Sequence, residues 1–164
     1  MQLLQHQNIL RKIKRLAYQI LEQNYNEKSI VLAGINQNGT AFAKLILEEL
    51  SKQSKQEVTL TKIKLNPASP LSEPIQIDRE LDFFIDKNII IVDDVANTGR
   101  TIFYALKAFM DIIPSKIEVA VLIDRKHKLF PIKVDYVGMS LATTLQENIL
   151  VDLKNNKNFN VSLN

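Results

Sequence analysis

The stretch VDDVANTGRT, residues 92 to 101, brings together two adjacent carboxylates, Asp93 and Asp94, and a Thr98-Gly99-Arg100-Thr101 turn. A loop of that kind at the start of a helix collects unpaired backbone N–H groups, and threonine hydroxyls add donors. The turn with Thr98, Gly99 and Thr101 is therefore expected to cradle a phosphate, held chiefly by amides. Asp93 and Asp94 would repel that phosphate in direct contact, so they must face another part of the ligand. Ionised carboxylates only accept hydrogen bonds, and a vicinal diol offers two donors at neighbouring positions. A ribose 5-phosphate satisfies both demands. The competing reading, a solvated turn with a helix cap, loses ground because a buried strand precedes the acids and a helix start follows them.

The elements that must position this stretch alternate. Ile9, Leu10, Ile13, Leu16, Ala17, Ile20 and Leu21 recur at helical spacing between residues 8 and 25, with Arg11, Lys12, Lys14 and Arg15 on the outer face. SIVLAG, residues 29 to 34, reads as a strand buried on both faces, residues 38 to 53 as a helix, and EVTLTKIKL as a half-exposed strand. Residues 65 to 77, with Pro67, Pro70 and Pro74, form a long excursion rather than a core element. NIIIVDD is a buried central strand, residues 98 to 113 a helix, and KIEVAVLID, KVDYVGMS and NILVDL are further strands. The Asn-rich tail, KNNKNFNVSLN, is expected to be loosely ordered. This alternation predicts an α/β fold with a central, mostly parallel sheet flanked by helices, and ligands at the carboxyl ends of its strands.

With 164 residues, 46% hydrophobic and 24% charged, the chain suits a single folded domain, 1–164. A net charge of +3 is too mild to imply nucleic-acid binding by itself. The absence of cysteine excludes disulfides, thiolate nucleophiles and Cys-type zinc sites, and only His6 and His127 remain as soft ligands. Any metal should be a hard cation held by carboxylates and ligand oxygens. No apolar run approaches membrane-spanning length and no secretory pattern opens the chain, so the expected location is cytoplasmic. GINQNG, residues 34 to 39, continues into Thr40 and Ala41 where an ATP-binding loop needs Lys, and no GxGxxG occurs.

VDDVANTGRT resembles the 5-phosphoribosyl-1-pyrophosphate (PRPP) signature of type I phosphoribosyltransferases. VAVLIDRKHKLFPIKVDYVG, residues 119 to 138, is similar to a segment of the bifunctional pyrimidine-operon attenuation proteins, which also carry uracil phosphoribosyltransferase activity, and IVLAGINQNGTAFAKLI resembles that family's pyrophosphate loop and helix. The resemblance implies that Ala96, Asn97, Thr98, Gly99, Arg100 and Thr101 enclose the 5-phosphate, and that Asp93 and Asp94 bind the ribose diol, stabilise charge on the sugar and help hold Mg2+. It assigns Ile35, Asn36, Gln37, Asn38 and Gly39 to pyrophosphate, residues 65–77 to a mobile loop, and residues 124–148, with Asp124, Arg125 and His127, to a hood over the base. Phe130 and Tyr136 are the candidate base contacts, while Phe103, Tyr104 and Phe109 read as core or dimer contacts. The implied partners are PRPP and a nucleobase, uracil first, within a homodimer or higher homo-oligomer and without a membrane.

Two departures stand out. Asn38 occupies a place where the family carries a basic residue, and LNPASPLSEP lacks the aromatic and arginine expected of the mobile loop, leaving Lys62, Lys64 or Arg79 as substitutes. Arg15 and His127 agree with RNA-contacting positions of the attenuation proteins, but Tyr18, Gln23 and Met139 replace basic ones, which argues against tight RNA binding. The alternative to an enzyme is a nucleotide-sensing or RNA-binding pyrimidine regulator with weak or no catalysis.

Overall fold

A computed structural model describes residues 1–142 and 147–164. Residues 143–146, part of the expected hood, lie outside the described residues. The elements run β1 (Gln2–Gln5), α1 (His6–Gln23), β2 (Ser29–Ile35), α2 (Asn36–Gln53), β3 (Glu57–Lys64), β4 (Gln76–Ile77), β5 (Asn88–Ala96), α3 (Arg100–Ala105), β6 (Lys116–Arg125), β7 (Tyr136–Leu141), β8 (Ile149–Asp152) and β9 (Asn160–Leu163).

Six strands form one sheet in the order β4-β3-β2-β5-β6-β7, parallel except for β4 at one edge. The apolar runs follow from coverage on both faces. Ile30, Leu32, Ile90, Val92, Ala120 and Leu122 point toward α1 and α2, while Val31, Ala33, Ile89, Ile91, Val119 and Val121 pack against Phe84, Ile102, Ala105 and Phe109. The period of two divides each strand between two cores. β3 carries out the same division: Val58 and Leu60 face the first core and Ile63 the second.

A second sheet, β1-β9-β8, is antiparallel. It corrects the expectation of a loose tail: Phe159 and Val161 are buried, and the Phe159 amide donates to His6 Nδ1 at 3.2 Å. Phe159, Val161 and Leu163 alternate with Asn160, Ser162 and Asn164, a short strand period hidden behind an asparagine-rich turn. The expected helix over 98–113 is also shorter. α3 ends at Ala105 and continues as a 3-10 turn, Leu106–Phe109. Pro114 cannot continue an α-helix because its ring would clash with the carbonyl four residues earlier, and the tightened turn seats Phe109 edge-on to Phe84 at 5.2 Å.

The basic face of α1 closes the other edge of the main sheet. Arg15 Nη2 donates to the carbonyls of Val137 and Gly138 at 2.8 and 2.6 Å, and Lys12 Nζ to that of Gly138 at 3.2 Å. Carbonyls of an edge strand otherwise template further pairing, so these two cations have an architectural task.

Because Phe159 joins the small sheet to the first core, Phe159→Ala should lower unfolding free energy by about 3–5 kcal/mol, read as an earlier urea midpoint. An unchanged midpoint would show that the tail does not belong to the cooperative unit.

Candidate functional site

From β2 the chain passes through α2 to β3 on one side, then crosses back to β5 on the other. The loops after β2 and β5 therefore diverge at the carboxyl ends of neighbouring strands, and a crevice opens between them. It measures about 510 Å³ and is lined by Ile35, Asn36, Gln37 and Asn38 from the first loop and Asp93, Asp94, Asn97 and Thr101 from the second, with Pro67 and Ile149 at its margins. Residues more than fifty positions apart meet because these two strands are adjacent.

Gly39 makes the meeting close. A Cβ there would lie 2.5 Å from the Val92 carbonyl oxygen and 3.3 Å from Asp93 Cα, so any side chain would push α2 away from β5. Asn36 holds the same turn from the other side. It adopts φ 52°, a left-handed conformation that asparagine tolerates, and its amide exchanges two hydrogen bonds with Leu65, to the carbonyl at 2.9 Å and from the N–H at 3.1 Å. Asn38 then donates to Asp94 Oδ2 at 3.1 Å.

The two acids differ. Asp93 is buried, at 8% exposure, and Asp94 is half-buried at the mouth of the cleft. Asp93 Oδ1 accepts from the Asp94 amide and Asp94 Oδ1 from the Val95 amide, both at 2.9 Å. Burial pushes the Asp93 carboxyl well above the usual carboxylate range, and the neighbouring Asp94 charge pushes it further. Two hard oxygen donors fit a cation such as Mg2+ that takes its remaining ligands from substrate and water, and among the described residues no cluster of three or more acids, histidines or cysteines offers a complete cage.

Gly99 sits at φ 86°, and a Cβ there would meet Ile132 Cγ1 at 2.7 Å, so both backbone conformation and space require glycine. The segment after β6 folds onto this turn: the amides of Leu129 and Phe130 donate to the Thr98 carbonyl at 3.0 and 3.1 Å. A pocket of about 440 Å³ is bounded by residues 95–102 together with Leu129 and Phe130. Phe130 packs on Phe103 and Tyr104, with ring centroids 5.5 and 6.1 Å away, so these three aromatics form one cluster beside the cradle. Arg100 turns outward and donates to the Pro67 carbonyl at 2.7 Å, tying the 65–77 excursion to the cradle.

Other expected site residues stand elsewhere. Arg125 is buried, at 3% exposure, its guanidinium donates to the Glu147 carbonyl, and it is not among the residues that line the cleft. Asp124 pairs with Lys128, His127 is exposed, and neither lines the cleft or the pocket. Tyr136 lies at the amino end of β7, where its hydroxyl meets Glu118 and Asn24, so it is excluded as a base contact by its position in the parallel strand. Lys128, Ile132 and Ile149 were not legible as site neighbours, since their only signal is tertiary.

The raised Asp93 carboxyl has a stability consequence. Folding favours its protonated form, so its contribution is full below the ordinary carboxylate range and is lost as pH rises through the shifted value. Asp93→Asn should therefore raise the melting temperature of the ligand-free protein by about 2–4 °C at pH 8, with a smaller gain at pH 5. A lower melting temperature at pH 8 would contradict this account.

A family model described as phosphoribosyl transferase domain matches residues 1–154. The chain is 39% identical over 150 residues to the bifunctional protein PyrR of Ligilactobacillus salivarius, covering 86% of this chain and 84% of that protein. It is 34% identical over 160 residues to the bifunctional protein PyrR of Bacillus pumilus, covering 92% and 89%. The hypoxanthine phosphoribosyltransferase of Trypanosoma cruzi superposes with a TM-score of 0.78 at 18% identity, covering 98% of this chain and 94% of that one, which shows the shared fold. With a matched domain, relatives above 30% identity over most of the chain, and the diacid facing one cleft with Asn97 and Thr101, this chain belongs to the type I phosphoribosyltransferases of the PyrR kind, a family of pentosyl-transferring glycosyltransferases.

Proposed function

We propose that the protein transfers the 5-phosphoribosyl group of PRPP to a nucleobase, with uracil the first choice, and releases pyrophosphate and a nucleoside 5-monophosphate. The single observation that carries this reading is the common cleft of Asp93, Asp94, Asn97 and Thr101 with residues 35–38. One ligand laid across it would put its 5-phosphate on the amides of 97–101, its ribose hydroxyls on the acids and its pyrophosphate toward the first loop. Uracil is favoured by the relatives' kinship to the attenuation proteins.

The chain's own residues would act mainly by position and charge. Asp93 and Asp94 accept hydrogen bonds from the 2- and 3-hydroxyls and stand where positive charge grows on the sugar as the C1–O bond to pyrophosphate breaks and a bond to the base nitrogen forms. Mg2+, held by the acids and ligand oxygens, would neutralise leaving-group charge. Phe130, anchored by Phe103 and Tyr104, offers an apolar face beside the cradle for the base.

A second reading, a nucleotide-sensing regulator, is favoured by the neutral Asn38 beside Asp94. RNA contact through α1 is weakened because Lys12 and Arg15 are engaged with β7 carbonyls. Incubation with PRPP, Mg2+ and each of uracil, hypoxanthine, guanine, adenine and orotate separates the readings. Nucleotide and pyrophosphate are expected with uracil, and Asp94→Asn should cut kcat/KM by roughly two orders of magnitude. If no base reacts while a nucleotide still binds and Asp93→Asn with Asp94→Asn abolishes that binding, transfer fails and the sensor stands.

A further inference from the structure

The loop assigned to pyrophosphate carries no cation of its own. Asn36, Gln37 and Asn38 are neutral, and the acids beside them add negative charge. Beyond the charge that Mg2+ would supply, a charge-assisted contact from the protein to a departing pyrophosphate must come from elsewhere.

Lys62, Lys64 and Arg79, the substitutes available on the flanks of the excursion, line neither the cleft nor its neighbouring cavity, and Arg79 lies over the Phe83 ring, 4.7 Å from its centroid. Arg100 is bonded to Pro67, and Lys128 to Asp124.

A smaller cavity of about 210 Å³ borders the same loop on its other side. Its walls are Gln37, Asn38 and Ala41 from α2, Val151 from β8, and Leu153 and Lys154 from the turn that follows β8. Gln37 and Asn38 line both this cavity and the cleft that holds Asp93 and Asp94. Lys154 lines the smaller cavity, across Gln37 and Asn38 from the cleft. Its backbone is fixed by the buried Leu153 and by its own amide, which donates to Asp152 Oδ1 at 3.0 Å, while its side chain is exposed. None of the four ion pairs among the described residues uses it. A lysine is a compact point charge on a long flexible stem, suited to follow a departing anion rather than to fix one geometry.

We infer that Lys154, carried by the small sheet, is the cationic binding residue for the pyrophosphate group, supplying across the cavity the charge that residues 35–39 lack. The inference rests on the assignment of that loop to pyrophosphate under the proposed function. It gives the small sheet a part in ligand binding as well as in folding.

Titration calorimetry of the full chain with inorganic pyrophosphate and Mg2+, and separately with a nucleoside 5-monophosphate, tests it. Lys154→Met should weaken pyrophosphate binding roughly tenfold or more and leave monophosphate binding unchanged, while Lys154→Arg keeps both. Equal pyrophosphate affinity in Lys154→Met and the unaltered protein overturns the inference, as does parallel loss of both ligands or no pyrophosphate binding at all. Steady-state kinetics separate the two readings. If no base reacts yet pyrophosphate binding depends on Lys154, the transfer reading fails and this one stands. If transfer proceeds with an unchanged KM for PRPP in Lys154→Met, this one fails alone.

Discussion

The contact on which the site depends is that of the Gly39 backbone with the Val92 carbonyl. There is no room at this point for even a methyl group, so the first turn of α2 can rest directly on the carboxyl end of β5. Protein interiors transmit such steric limits because they are close-packed. If α2 stood farther out by the width of a side chain, Asn38 would not reach Asp94 and the two loops would no longer frame one cleft. Asn36, latched to Leu65, keeps the same turn from drifting along the sheet.

That close packing has an electrostatic consequence. It buries Asp93 against backbone and a second acid, where ionisation is disfavoured in the empty protein. A ligand bearing hydroxyl donors and a cation would reverse the penalty. On the proposed function, the folding cost of burying Asp93 would be returned when such a ligand binds, a trade that functional sites commonly make. The rest of the architecture compensates through two apolar cores on either side of the sheet and through the edge contacts that Arg15 and Lys12 make to β7.

Much of this was legible in residue order, because its signals are local. Four consecutive β-branched residues from Ile89 to Val92 describe a strand covered on both sides, and Thr98-Gly99-Arg100-Thr101 describes a turn that needs a left-handed glycine. Asp93 and Asp94 were recognisable for the same reason, as neighbours of that turn. The tail was misread because its strand is short and follows an asparagine-rich turn, so its period of two becomes meaningful only when β1 and β8 supply partners. The burial of Arg125 and the place of Tyr136 at the amino end of its strand were not legible, because a strand's side chains are directed by pleat and by which end of the sheet they occupy, and neither is visible in a string of residues.

The sequence by itself determined the α/β alternation, the pairing of two acids with a glycine turn in residues 92–101 and the lack of a cation in residues 35–39, all carried by composition and spacing within a few residues. Only the tertiary structure decided that β2 and β5 lie side by side, so that those two loops share a cleft. It also decided that Lys154, distant in the chain, stands against Gln37 and Asn38. The physical reason is that strand order and sheet-to-sheet packing are settled by the burial of whole faces, a property of the assembled chain and not of any short stretch.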